Sequence, residues 1–113
     1  MNDRKMRSLN REYRGIDRTT DVLSFPQYDS NELKEKRESV DSLLLLGDIV
    51  ISPARAKSQA REYGLVFYGE INRLLIHGLL HLLGYDHETN RYQAWKMRKM
   101  EEELLHHIEQ TNA

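Results

Sequence analysis

Three of the chain's five histidines lie within one short segment, at His77, His81 and His87. On a helix, residues four apart lie one turn above the other, so His77 and His81 would share a face. Gly84 can end such a helix, because glycine adopts the left-handed backbone conformation without steric cost. The chain could then turn back and bring His87 toward the other two rings. Three neutral imidazoles with a fourth position left for water form an open, catalytic type of zinc site.

The same segment has the spacing of the metzincin protease motif H-E-x-x-H-x-x-G-x-x-H, with one difference. Gly78 stands where those proteases carry the glutamate that acts as general base. We therefore expect the metal ligands of this motif without its peptidase activity. Nickel or copper could replace zinc, because imidazole binds several such metals.

The two helical histidines are surrounded by leucine and isoleucine, which predicts a helix that is buried on almost all sides. Histidines on such a helix can also be ordinary core residues with satisfied rings. Two unpaired imidazoles would be costly in that environment, and a shared metal ion removes the cost. We expect Leu75, Leu79 and Leu82 to pack against a sheet that contains Leu45 and Ile49.

Length and composition limit the classes of protein to which this chain can belong. The chain has 113 residues, of which 39% are hydrophobic and 31% charged, which predicts one domain over residues 1–113. It has no cysteine, which excludes disulfides and thiolate zinc sites. No apolar run reaches transmembrane length and the start lacks a signal-peptide core, so a cytoplasmic protein without a membrane partner is the default expectation.

The net charge of −1 excludes a protein that binds nucleic acid through bulk basicity alone. Charge is nevertheless unevenly distributed, since six basic residues fall in the first eighteen positions. They form either a local basic surface or an ordinary solvated helix face. These residues are Arg4, Lys5, Arg7, Arg11, Arg14 and Arg18.

The first half of the chain predicts a helix, a strand and a connection. The helix spans residues 3 to about 14, with Asp3 as its cap and Gly15 at its end. A strand follows and ends at Pro26. Residues 27–42 are polar, charge-dense and without a sustained apolar face, which predicts an exposed, mobile connection. It could be a flap over a site or an inert loop.

The second half predicts a strand and three helices. Residues 43–51 are apolar on both faces, as in a central strand of a sheet. Ser52-Pro53 begins a helix that runs to about Tyr63, and the histidine helix follows from about residue 68 to 84. Thr89 or Asn90 can cap the last helix. Its inward side would hold either Trp95 or Met97, followed by Met100, Leu104 and Ile108.

Four sequence blocks together resemble the YbeY family of metal-dependent endoribonucleases, which act in ribosomal RNA maturation. They are Leu9-Asn10-x-x-Tyr13-Arg14-Gly15, Thr20-Asp21-Val22-Leu23-Ser24-Phe25-Pro26, Leu46-Gly47-Asp48-Ile49-Val50-Ile51-Ser52, and the histidine segment with Gly84-Tyr85-Asp86-His87. The resemblance covers nearly the whole chain in the family's order. Family members usually have an additional strand, helix and strand before the block that starts near Asn2, and this chain begins almost at the end of that segment.

The resemblance implies an α+β fold in which a small mixed sheet packs on helices and a central buried helix carries the metal site. It implies that His77, His81 and His87 are zinc ligands, one zinc per chain, and that Arg14 lies in the cleft beside the metal. It also implies cleavage of single-stranded RNA, processing of small-subunit ribosomal RNA, and contact with the small ribosomal subunit.

This family assignment and the open metal site together predict a zinc-dependent endoribonuclease that hydrolyses phosphodiester bonds. Arg14 would bind the phosphate through its planar guanidinium. Asp86 and Asp48 are candidates for supporting the site, as an acceptor for an imidazole and as a nearby carboxylate, or else serve only as turn and strand-end residues. Gly78 offers no base, so either water or the RNA 2′-hydroxyl would be the nucleophile. The alternatives are a ribosome-associated RNA-binding factor with a structural metal, and a metallohydrolase acting on a small substrate.

Overall fold

The computed structural model describes residues 1–39, 45–86 and 90–111. Five helices and two strands follow one another in the described chain. They are α1 (Asp3–Arg14), β1 (Val22–Pro26), α2 (Ser30–Ser39), β2 (Gly47–Ile51), α3 (Pro53–Tyr63), α4 (Phe67–Leu82) and α5 (Arg91–Thr111). None of these helices combines the length and the apolar composition that crossing a bilayer requires.

Local capping determines where α1 and α3 begin and end. The Asn2 side chain, one residue before the predicted cap Asp3, accepts a hydrogen bond from the backbone N–H of Lys5 at 2.9 Å. Gly15 ends α1 in the left-handed conformation, at φ 70°. Helix α3 has Ser52 as its N-cap and proline at its start, and it stops at Gly64 as predicted.

Strands β1 and β2 form a two-stranded antiparallel sheet in the described residues. Gln27 N–H donates to the carbonyl of Leu46 at 2.8 Å, and Ser52 N–H donates to that of Asp21 at 2.9 Å. Residue numbers rise along one strand as they fall along the other, which is an antiparallel register. The expected mixed sheet with a central strand is therefore not what these residues form.

Strand β2 is shorter than predicted because it begins at Gly47. Leu45 is exposed and is not in the strand, and residues 43 and 44 lie outside the described residues. Gly47 has φ 146°, and a Cβ there would lie 2.2 Å from the carbonyl oxygen of Phe25. Only glycine fits this close approach, and the strand begins at this glycine. The preceding run of leucines did not predict the contact.

Residues 30–39, within the predicted exposed connection over residues 27–42, form helix α2, which the sequence analysis did not predict, and residues 40–42 lie outside the described residues. Asp29 and Glu32 cap the helix reciprocally. Glu32 N–H donates to Asp29 Oδ1 at 2.8 Å, and Asp29 N–H donates to Glu32 Oε1 at 3.3 Å. Leu33 is buried. A cap and a single apolar anchor therefore support a helix that lacks an apolar face.

Helix α4 has more buried positions than the other helices of the described chain, as predicted. Leu74, Leu80 and Leu82 are buried, whereas Leu75 is 43% exposed. Leu75 shares a sector of the helix with Asn72 and Leu79, neither of which is buried. The expectation that Leu75 packs inward is therefore wrong, because an apolar residue on a mostly buried helix need not itself be buried.

The chain divides into two compact units, Met1–Leu23 with Ile49–Leu75, and Ser24–Asp48 with Ile76–Ala113. In the first, Met6, Ala56 and Leu74 are buried, and the Ser52 hydroxyl donates to Asp3 at 3.3 Å. The second has a core of three buried residues with partly buried apolar neighbours. The three are Ile76, Leu80 and Met97, and the neighbours are Leu83, Tyr85, Met100, Leu104, Leu105 and Ile108.

Helix α5 presents Met97 to this core and leaves Trp95 exposed, which resolves the two alternatives for its inward side. Asn90 is its cap, because the Asn90 side chain accepts a hydrogen bond from Gln93 N–H at 2.9 Å.

Candidate metal centre

His77 and His81 lie one turn apart on α4 with their rings facing each other. Their Nε2 atoms are 3.2 Å apart, and the rings meet edge to face with centroids separated by 4.7 Å. Both side chains belong to the second compact unit, where the neighbouring Ile76 and Leu80 are buried in its core. Packing of these two residues fixes the rotation of α4 and with it the direction of both imidazoles.

Glu101 on α5 holds the other nitrogen of His77. The distance from His77 Nδ1 to Glu101 Oε1 is 2.6 Å, and the two side chains are 24% and 20% exposed. A carboxylate only accepts, so Nδ1 carries the proton and donates it. In a neutral imidazole Nε2 is then the nitrogen that can accept a hydrogen bond or bind a metal, and it faces Nε2 of His81 at 3.2 Å.

The paired nitrogens match what two ligands of one zinc ion require. Two nitrogens at 2.0–2.1 Å from a tetrahedral ion lie roughly 3.3 Å apart, close to the observed 3.2 Å. A carboxylate on the distal nitrogen of a ligating histidine is a common arrangement in zinc sites. The residues present therefore fit a zinc ion, with Glu101 as the group that fixes the tautomer of His77.

The sequence analysis missed Glu101, which lies in a run of three glutamates, Glu101, Glu102 and Glu103. The available signal was periodicity, since Glu101 follows Met97 by four residues and lies on the same face of α5 as Leu104 and Ile108. A carboxylate on an apolar face is expected to have a specific partner.

Gly78 lies between the two histidines and is buried. Its carbonyl oxygen accepts a hydrogen bond from the Ser24 hydroxyl at 3.0 Å. Ser24 thereby ties β1 to α4 within the second unit. Since glycine has no side chain, this position supplies no acid or base to the site.

Four further residues were predicted to belong to the site, and the structure describes three of them. His87, the predicted third ligand, lies outside the described residues. Within residues 1–39, 45–86 and 90–111, no three His, Cys, Asp or Glu side chains are grouped for metal binding. Asp86 is half-buried just after α4, and Asp48 is exposed on β2. Arg14 is exposed as the last residue of α1 in the first unit. The roles of His87, Asp86, Asp48 and Arg14 stay predictions.

The basic segment at the start of the chain is partly neutralised within the first unit. Arg7 Nε donates to Asp17 Oδ1 at 2.9 Å, and both side chains are more than half exposed. This hydrogen bond raises the pKa of Arg7 and lowers that of Asp17 below its ordinary value. Arg55 lies 3.6 Å from Asp3 in the same unit. Exposed pairs of this kind contribute little to stability, and the Arg7–Asp17 pair reduces the net positive charge that α1 presents.

Residues 1–109 match a family model described as Endoribonuclease YbeY. A protein of that name from Thermodesulfovibrio yellowstonii is 46% identical over 106 residues, which cover 94% of this chain and 62% of the relative. Another from Desulforamulus reducens is 50% identical over 108 residues, covering 96% of this chain and 68% of the relative. The solution structure of TM1509 from Thermotoga maritima superposes with a TM-score of 0.58 at 30% identity, over 93% of this chain and 61% of that one. The chain thus spans about two thirds of the length of these relatives.

Proposed function

This chain belongs to the YbeY family, and on that premise we propose that it is an endoribonuclease that cleaves single-stranded RNA in the maturation of small-subunit ribosomal RNA. The observation that carries the proposal is the pair of Nε2 atoms of His77 and His81, 3.2 Å apart, with Glu101 on the far side of His77. The 3.2 Å separation is close to that of two ligands of a single zinc ion, and without an ion it is a hydrogen bond in which His81 Nε2–H donates to His77 Nε2.

Three histidines are proposed to hold one zinc ion. His77 and His81 supply their Nε2 atoms, and His87 supplies the third nitrogen, by its match to the family motif. When bound, zinc supplies positive charge and Lewis acidity toward a phosphoryl oxygen, and three neutral ligands leave that charge undiminished. Nickel can replace zinc on the same donor set.

Arg14 is proposed to bind the phosphate that undergoes cleavage. Its guanidinium offers two parallel N–H donors to a phosphate, a geometry that lysine cannot reproduce. An exposed arginine at a helix end can serve this purpose without disturbing a core. Asp86 is proposed to orient the imidazole of the neighbouring His87, and Asp48 to support the site from β2.

The nucleophile is either a water molecule or the 2′-hydroxyl of the RNA, and the products distinguish the two. Attack by water gives linear ends, because the bond between phosphorus and the leaving oxygen breaks without ring closure. Attack by the 2′-hydroxyl gives a 2′,3′-cyclic phosphate. Gly78 excludes a base at the metzincin position, so the proton must pass to a group other than a side chain at residue 78.

The proposed partners are ribosomal RNA and the small ribosomal subunit. The alternative function is a ribosome-associated RNA-binding factor with a structural metal. It would bind the same RNA and leave it intact, so cleavage itself separates the two.

The test compares the wild type with His81→Ala and with the matched control His106→Ala, an exposed histidine on α5. Each full-length chain is loaded with zinc, analysed for metal, and incubated with a 5′-labelled single-stranded RNA. We expect internal cleavage by the wild type and His106→Ala, and at least a hundredfold loss in His81→Ala, with circular dichroism confirming that it is folded. An intact RNA in all three samples would overturn cleavage, and equal cleavage in all three would overturn the site.

A further inference from the structure

One face of α5 carries two aromatic and two basic residues. It consists of Tyr92, Trp95, Lys96 and Lys99, of which Lys96 is half-buried and the other three are exposed. The Tyr92 and Trp95 rings are nearly parallel, with an interplanar angle of 22° and centroids 6.4 Å apart. The Lys96 ammonium lies 5.4 Å from the Tyr92 ring centroid, and that of Lys99 lies 5.9 Å from the Trp95 centroid. Each ring therefore has a cation beside it.

This face points away from the core of its unit. Positions 92, 95, 96 and 99 recur at helical spacing and cluster on one side of α5. Met97, which is buried in the core, lies on the opposite side. Tyr92 is 62% exposed and Trp95 48% exposed, although lysines lie beside both rings. Two large aromatic side chains are thus held in solvent, where packing within the unit does not require them.

Charge on α5 is segregated along the helix. Residues 90–100 contain Arg91, Lys96, Arg98 and Lys99 and no acidic residue, whereas Glu101, Glu102 and Glu103 follow directly. Cations near a helix N-terminus oppose the helix dipole, and the first turn of α5 has no acidic residue to offset them. Helix stability therefore does not account for this distribution. A polyanion in contact with the first half of α5 does account for it, by charge complementarity.

We propose that this face of α5 binds single-stranded RNA by stacking bases on Tyr92 and Trp95, while Lys96 and Lys99 contact the adjacent phosphates. Aromatic rings accept any base, because every base has a π face, and neighbouring cations neutralise the backbone. A duplex is excluded, since its bases are already stacked on each other. The inference rests on the proposed function and adds the surface that receives the RNA strand.

The proposed RNA-binding face and the candidate metal centre lie on different sides of α5. Glu101, which contacts His77, is six residues beyond Trp95, or about 9 Å along the helix axis, and it lies on the core-facing side with Met97. The face therefore holds the RNA strand outside the metal centre and does not form part of that centre. An acidic segment begins at Glu101, so phosphate contacts are confined to the first half of α5.

Trp95 is the sole tryptophan of the chain, so intrinsic fluorescence reports directly on the proposed contact. The wild type is mixed with oligouridylate of twelve nucleotides, with a duplex RNA of equal length, and with inorganic polyphosphate. Fluorescence is recorded within seconds of mixing, and parallel samples are analysed for cleavage. We expect saturable quenching by the single strand, and little or none by duplex or polyphosphate, because only unpaired bases can stack on the indole.

Variants separate stacking from charge. Trp95→Ala should weaken single-strand binding about tenfold, whereas Trp95→Phe retains most of it. In the double variant Lys96→Ala/Lys99→Ala, the negative slope of log affinity against log salt should become shallower by roughly 1.4, which is 0.7 for each lost phosphate contact. Tyr68→Ala, which removes an exposed aromatic residue from α4, is the matched control and should bind as the wild type does.

The outcomes are decisive in either direction. Quenching by the single strand without cleavage would support this face and overturn the proposed enzymatic function. Cleavage with unchanged Trp95 fluorescence at saturating RNA would overturn this face and leave the enzymatic function standing. Equal quenching by single strand, duplex and polyphosphate would also overturn it, since the response would then come from charge. Wild-type binding by Trp95→Ala would also overturn the proposal, since the strand would then not stack on Trp95.

Discussion

Replacing Glu101 should weaken zinc binding while leaving all proposed metal ligands in place. Glu101 accepts a hydrogen bond from His77 Nδ1 at 2.6 Å, and this contact selects the tautomer in which Nε2 carries the lone pair. In Glu101→Ala, His77 can rotate or can carry its proton on Nε2, and either change removes a ligand from the site for part of the time.

The expected loss of zinc affinity in Glu101→Ala follows from the type of contact and from its partial exposure to solvent. Hydrogen bonds to charged groups contribute about 1.5–3 kcal/mol. Because about a fifth of each side chain is exposed to solvent, water can partly replace the lost partner. The loss should therefore lie at the lower end of that range. A loss of about 1.5 kcal/mol is roughly a tenfold weaker zinc affinity. Glu101→Gln keeps an oxygen acceptor and should lose less.

The assay is competition for zinc between the protein and a chromophoric chelator, at fixed pH and in the absence of RNA. Glu102→Gln is the matched control, because Glu102 is the adjacent and exposed carboxylate. Melting temperatures of the zinc-free proteins should show that Glu101→Ala remains folded. If its zinc affinity stays within twofold of the wild type, the carboxylate does not position His77 and our interpretation of the 2.6 Å contact is wrong.

Three further predictions test the fold and the site. Gly47→Ala should destabilise the protein by about 3 kcal/mol, measured by urea unfolding, because its Cβ would lie 2.2 Å from the carbonyl oxygen of Phe25; unchanged stability would contradict the strand geometry. The pKa of Asp29 is lowered chiefly by the hydrogen bond from the backbone N–H of Glu32, so the cap of α2 is intact above the unfolded pKa near 3.9 and is lost as the pH falls through the lower folded value. Protection of the Glu32 amide from hydrogen exchange, taken relative to the intrinsic rate at the same pH, should therefore decrease in acid, and Asp29→Asn, whose side chain caps without titrating, should weaken that dependence; identical protection profiles for both would refute it. Arg14→Ala should reduce RNA turnover about a hundredfold with unchanged zinc content and melting temperature, and Arg14→Lys should recover only part of the loss; turnover at the wild-type rate would remove Arg14 from the mechanism.

Elements whose ends depend on local chemistry were predictable from the sequence. The Ser52 cap with its following proline, and the glycines at 15 and 64, locate α1 and α3 because capping acts over a few residues. The spacing of His77 and His81 likewise implied that their rings share a face. Each of these inferences depends on interactions within one turn of helix.

Features that depend on contacts between distant residues were not predictable in the same way. The short β2 arises from the approach of Gly47 to Phe25, about twenty residues away along the chain. Helix α2 depends on one buried leucine and a reciprocal cap, and its sequence lacks the apolar stripe from which a helix is usually predicted. Glu101 reaches His77 from another helix, so its role emerged only with the packing of α5 against α4. Periodicity left Trp95 and Met97 as equal candidates for the core, and three-dimensional packing selected Met97.

Zinc dependence of RNA cleavage links the candidate metal centre to the proposed function in one titration. The full-length chain is stripped of metal with a chelator, dialysed, and titrated with zinc, while cleavage of a labelled single-stranded RNA is measured at each point. We expect no cleavage without metal, a linear rise, and saturation at about one zinc per chain, with no rise in His81→Ala. Cleavage that is undiminished in the metal-free wild type, or that rises equally in His81→Ala, would contradict a metal-dependent endoribonuclease centred on these histidines.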